Sequence, residues 1–284
     1  MDEAGRLQLA AILGLNLASA LLVGGVVLQA SRDARGLVRA PVAAAALLGL
    51  IANLAFLWWQ AAVMADVPLA EAPAQLGPVL AHSRFGPLWA LQSAALVGCM
   101  ATSGRWREAG VLLFIGARAA TSHAGASDSA LPGAVDAVHL LAASLWAGLV
   151  LCAAIGPRWR LAHDDDRQRA WRFVAALSRW ATAALGVIAL SGLFAAWRAV
   201  GTPVGITSSG YGQLLVMKLV LVAAAAALGG FNRWAVLPGL HAALQTASAD
   251  TAVRRFRRVI RIEAVVLLGV LVLAALLAGA APPA

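Results

Sequence analysis

Long apolar runs, each closed by a short polar or basic stretch, recur along all 284 residues. Eight stand out, at about 7–30, 40–65, 84–103, 108–123, 134–156, 174–199, 212–236 and 259–281. Each approaches the roughly 20 residues that a helix needs to cross a hydrocarbon core. A helix satisfies its own backbone in lipid and a lone strand does not, so the runs are predicted to be helices. The fourth is the shortest and carries Arg118. Two long connections, roughly 157–173 and 237–258, suit short surface helices. The pattern predicts an all-α polytopic transmembrane bundle of about eight spans, one integral membrane domain over 1–284, with no soluble domain. No internal repeat is evident. The opening Met1-Asp2-Glu3-Ala4-Gly5-Arg6 lacks the basic start of a cleavable signal, so the first helix is expected to stay.

Composition agrees with a chain whose main partner is the lipid bilayer. It is 61% hydrophobic and 12% charged, with mean hydropathy +0.81, whereas a soluble domain carries about 25% charged residues. The basic residues alternate along the chain. Arg32, Arg35 and Arg39 follow the first run, Arg105 and Arg107 the third. Arg158, Arg160, Arg167, Arg169 and Arg172 follow the fifth, and Arg233, Arg254, Arg255, Arg257 and Arg258 the seventh. The intervening connections are nearly free of Lys and Arg. By the positive-inside rule both termini are expected outside. Basic loops facing anionic headgroups also account for the net charge of +9 without nucleic acid. The chain carries no nucleotide-binding loop, and it reads as a non-enzyme; transport through it would be facilitated or ion-coupled.

With that orientation, polar side chains can be placed by depth. His82 ends the third run, His123 the fourth, and His139 lies about five residues inside the fifth, all toward the outer face. Met64 and Asp66 close the second run on the same side. Histidine is costly inside a membrane, and neutral imidazole suits copper and zinc while thioether suits Cu(I). A single histidine at a helix end is ordinarily just wet. His123 and His139 on adjacent helices together read as metal ligands, with His82 and Met64 as candidates to join them. Asp136 could orient an imidazole, and Trp146 shares its face seven residues on. His163 and His241 fall in inner loops and read as solvated. Tyr211 and Lys218, the single lysine, occupy the outer half of the seventh run.

Toward the inner face lie Cys99, Met100 and Cys152. Soft sulfur there could receive Cu(I), although such residues are common apolar fillers. A disulfide is not expected on the reducing side. A second polar group comprises Arg179, Asn232, Arg233 and Glu263. A carboxylate in lipid needs a partner, and Arg179 or Arg233 is expected to supply it.

Several of these residues, in order, resemble the copper resistance protein D (CopD) family. They are Phe85-Gly86 with Trp89, Ser122-His123-Ala124, His139 with Trp146 and Gly148, Ser191-Gly192, Tyr211-Gly212, Leu215 to Lys218, Asn232-Arg233, and Arg258 with Glu263 in a helix ending at Pro282-Pro283. The likeness covers nearly the whole chain and is most specific over about 120–283. It implies copper resistance or uptake across the bacterial inner (plasma) membrane, with a copper ion as cargo. It also implies a separate periplasmic CopC-like copper-binding protein as partner. Two other readings stay open. One is a b-type haem cytochrome with His123 and His139 as axial ligands, although the inner half offers no second histidine pair. The other is a non-transporting copper-binding scaffold or sensor.

Overall fold

A computed structural model describes residues 2–31, 34, 41–121, 130–155, 163–200, 209–244, 246 and 249–280. His123 lies outside the described residues, as do Arg32, Arg35, Arg39, Arg158 and Arg160 from the basic connections. The described chain is helical. In order the helices are α1 (Glu3–Ala30), α2 (Val42–Ala65), α3 (Ala72–His82), α4 (Phe85–Ala101), α5 (Arg105–Ala120), α6 (Ala130–Ile155) and α7 (Asp164–Val200). They continue with α8 (Gly210–Phe231), a π-helical segment (Asn232–Val236), α9 (Leu237–Ala243) and α10 (Ala249–Ala278).

Six helical stretches are long and apolar enough to cross a membrane, drawn from α1, α2, α6, α7, α8 with its continuation, and α10. Helices α4 and α5, at 17 and 16 residues, are shorter. The surface fits a lipid environment: Trp234, Trp197, Leu190, Leu193 and Val265 all point outward and are largely exposed. In water such a surface would drive association; in lipid it is the expected exterior.

Helices α1 and α6 form the centre. α1 packs on α2 and α6, and α6 also meets α5, α7 and α10. Their contact is made possible by two glycines. A Cβ on Gly148 would overlap the Ala20 carbonyl oxygen, and one on Gly24 would overlap the backbone of Gly148. Small residues let helix backbones touch, which is the main source of packing between helices in lipid. One apolar cluster is built on Leu149, Val150, Phe173, Val174, Phe256 and Leu267. Another is built on Leu22, Leu96, Phe114 and Ile115.

The boundaries follow local chemistry. Asp2 caps α1 by accepting from the Gly5 amide at 2.9 Å. Ser209 caps α8 by accepting from the Gly212 amide at 3.0 Å. Asp66 ends α2 in the left-handed region, φ 53°, a conformation that Asp tolerates better than most residues. The connection after α2 contains a helix that the apolar pattern does not reveal: α3 has a proline in its first turn and lays Val79 against Leu57 and Ala61. At α7 the expected surface connection is absorbed into the helix itself, which runs 37 residues.

Candidate functional site

Asp136 and His139 are three residues apart on α6, so they share a helix face. The His139 Nδ1 lies 2.9 Å from Ser191 Oγ on α7. Ser191 has one hydroxyl proton, and it is donated to the Val187 carbonyl at 2.6 Å. Its oxygen must therefore accept, and His139 is the donor through Nδ1–H. In the neutral ring this leaves the lone pair on Nε2, the form in which imidazole binds a metal. Gly192 stands 3.5 Å from the ring at its Cβ position, so this wall of the site is bare backbone.

Charge surrounds the ring. Asp136 interacts electrostatically with Arg118, His139 and Lys218. Arg118 ties α5 to α1, donating to the Leu15 carbonyl at 3.1 Å, to Ser19 Oγ at 2.6 Å and to Asn16 Oδ1. Asn16 in turn donates to the Leu271 carbonyl on α10 at 3.4 Å. One aspartate is thus set between two cations beside a half-buried histidine.

The other residues expected at this end lie apart from it. His82 ends α3 and is exposed; α3 packs on α2 and α4, whereas α6 packs on α1, α5, α7 and α10. Met64 is 48% exposed on α2. Trp89 donates to the Asn53 carbonyl at 2.9 Å rather than facing His139. Tyr211 is half-buried at the start of α8. Among the described residues, no group of three or more His, Cys, Asp or Glu side chains could hold a metal ion. The imidazole of His139 is the described part of any site made with His123. His163 is exposed with Asp166 3.7 Å away, and His241 stacks on Trp171 at 4.2 Å.

Cys99 and Cys152 are free, fully buried and embedded in two separate apolar clusters. Cys99 Sγ is directed at the Arg107 carbonyl, 3.8 Å away. Met100 is 41% exposed.

The second polar group surrounds a cavity of about 170 Å³ bounded by α6, α7, α8, the π-helical segment, α9 and α10. Asn232, Arg233 and Glu263 line it; Arg179 is exposed and does not. Glu263 is 2% exposed. Its hydrogen-bond donor is the Trp146 side chain, not the expected arginine. Arg233 is instead held by α7, donating to Ser178 Oγ at 3.1 Å and Thr182 Oγ1 at 3.3 Å. Trp146, from α6, lines the same cavity as Glu263. Arg233, on the π-helical turn, is directed across to α7.

Sequence reading missed Asn16, Ser19, Ser178 and Thr182 as partners. Their signal was present: Asn16 and Ser19 stand three apart within an apolar run, as neighbours on one helix face. Arg118 was visible only as a flaw in a short span.

Apolar helices long enough to cross a bilayer, with charged side chains gathered between them, define a polytopic membrane protein. The comparisons then give likenesses. Residues 4–134 match the N-terminal domain described as copper resistance protein D-like, and residues 171–277 match copper resistance protein D. Both descriptions are of copper resistance protein D, matched by two separate stretches of this chain. His139 and Trp146 fall between them. The chain is also 28% identical over 178 residues to the copper transport protein CutJ of Bacillus subtilis (strain 168), covering 56% of this chain. The match spans 32% of that relative's length. No solved structure matches.

Proposed function

We propose that this chain carries copper across the bacterial inner membrane toward the cytoplasm, with His139 in the outer capture site. The observation that carries this reading is the ring of His139. Ser191 holds its Nδ1 proton, so Nε2 is left as a ligand atom at membrane depth. His123, from the α5–α6 connection, is the proposed second ligand. Asp136 offsets the positive charge of Arg118 and Lys218, which would otherwise oppose a cation. The family match supports copper as the cargo, and a separate CopC-like protein is the proposed donor.

Metal analysis and an absorption spectrum of the purified protein test this directly. Bound copper, and copper entry into vesicles containing the protein, are expected. A Soret band, or protein free of copper after exposure to it, would overturn the reading.

The orientation belongs to the same proposal: eight spans, both termini outside, resting on the arginine-rich connections. Ala70 precedes α3 and is exposed, and Asp165 begins α7 and is exposed. In intact cells, Ala70→Cys is expected to react with an impermeant thiol reagent and Asp165→Cys to be shielded. The reverse pattern would invert the bundle.

A further inference from the structure

The cavity beside Glu263 takes no part in the copper site, and its polar groups are not mutually satisfied. An ionised carboxylate offers about four acceptor positions, and the donor to Glu263 is one indole. Asn232 is 7% exposed and lines the same cavity. Its Oδ1 is buried without a hydrogen-bond partner. A buried acceptor left alone costs about 1–3 kcal/mol, so it calls for a donor that the helices do not supply.

The space for that donor exists. A cavity of about 170 Å³ holds several waters, since one needs only about 10–15 Å³ measured this way. Gly229 keeps the carboxylate accessible: a Cβ there would stand 3.2 Å from Glu263 Oε1. The Asn232–Val236 turn is π-helical, a form frequent at functional sites.

The charged groups facing Glu263 select the ligand. Helix α6 contributes Trp146, α7 contributes Ser178 and Thr182, and α8 contributes glycines. Arg233, from the π-helical turn, is the other charged side chain of the described cavity lining. It is engaged by α7 and makes no ion pair with Glu263. Its fixed positive charge opposes a metal cation in so small a space. A proton escapes that opposition, because it moves onto the carboxylate as a covalent O–H and leaves a neutral acid.

We propose that this cavity is a water-filled proton-exchange site in which Glu263 takes a proton from cavity water and returns it, with Asn232 Oδ1 as the acceptor for the protonated acid or for a bridging water. The step is a simple transfer: an O–H bond of a hydronium or water breaks, one forms on Glu263, and no redox partner is involved. The site is independent of whether copper is the cargo.

Infrared difference spectroscopy on the whole chain in lipid nanodiscs tests it without any substrate. As pH falls, the C=O stretch of a protonated, buried carboxylic acid is expected to appear, and to shift in D2O. Four glutamates are present, Glu3, Glu71, Glu108 and Glu263, and the first three are exposed. Carbon-13 labelling of glutamate should therefore move this band in the unmodified protein, so assignment does not depend on a variant that folds. The band should be absent in Glu263→Gln and retained in Glu263→Asp. A band unmoved by glutamate labelling, a band that persists in Glu263→Gln, or no titrating acid between about pH 5 and 9 would overturn the proposal.

Discussion

Replacing His139 with alanine is expected to abolish copper binding by the purified protein, as is replacing His123. The expected size follows from ligand count. Among the described residues no group of three or more His, Cys, Asp or Glu could hold the ion, so the proposed site has no spare ligands and loss of one imidazole leaves too few donors. His163→Ala and His241→Ala should bind as the parent does, since those rings interact with Asp166 and Trp171. His82→Ala should also bind as the parent does, because α3 packs on α2 and α4 and not on α6. Ser191→Ala is the finer probe. It leaves the ligand but frees the Nδ1 proton, and loss of such an orienting partner typically costs about 10–100-fold in affinity. Equilibrium binding with a competing chelator measures all of these. A His123, His139 double variant that binds copper as tightly as the parent would place the site elsewhere.

The second large effect concerns folding. Gly148→Leu should destabilise the bundle by about 3 kcal/mol or more, the upper end for forcing extra carbons into a packed core. The reason is that the atoms in the way are backbone: the Ala20 carbonyl and the Gly24 amide cannot rotate aside as a side chain would. Either α1 and α6 separate, losing their packing, or the protein does not assemble. Gly116→Ala is the control. Nothing stands within 4 Å of the added carbon, so the change should stay within about 0.5 kcal/mol. Thermal unfolding in detergent, followed by loss of the monodisperse peak, distinguishes them. Equal behaviour of the two variants would mean that the glycine contact does not hold the helices together.

Six of the spans were legible because lipid demands long apolar runs, and runs survive small errors at their ends. What was not legible depended on partners far away in sequence. Helix α3 is only partly apolar and short, so its pattern resembles an ordinary connection; it forms because α2 offers Leu57 and Ala61 to cover it. The extension of α7 down to Asp164 joins to the span what polarity alone read as a separate short surface helix, as a charged face remains helical where it need not enter lipid. At the site, the shared helix face of His139 and Asp136 could be read from their spacing, but the contact of His139 with Ser191 could not, since the two lie 52 positions apart. The need of Glu263 for a partner was readable. Its identity was not, because Trp146 was assigned to the histidine end on the seven-residue spacing. The spacing does put both on one face, but about 10 Å apart along the axis at about 1.5 Å per residue, enough for each to meet a different neighbour.

Helix α7 spans about 56 Å at about 1.5 Å per residue, well beyond a hydrocarbon core of about 30 Å. Along this one rod, Ser191 grips the ring of His139, and Ser178 and Thr182 grip the guanidinium of Arg233. The grips are 13 residues apart, about 20 Å, and an unbroken helix carries torque over that distance without bending. A twist of α7 that released the imidazole would slacken the arginine in the same movement, as turning a camshaft lifts two valves together.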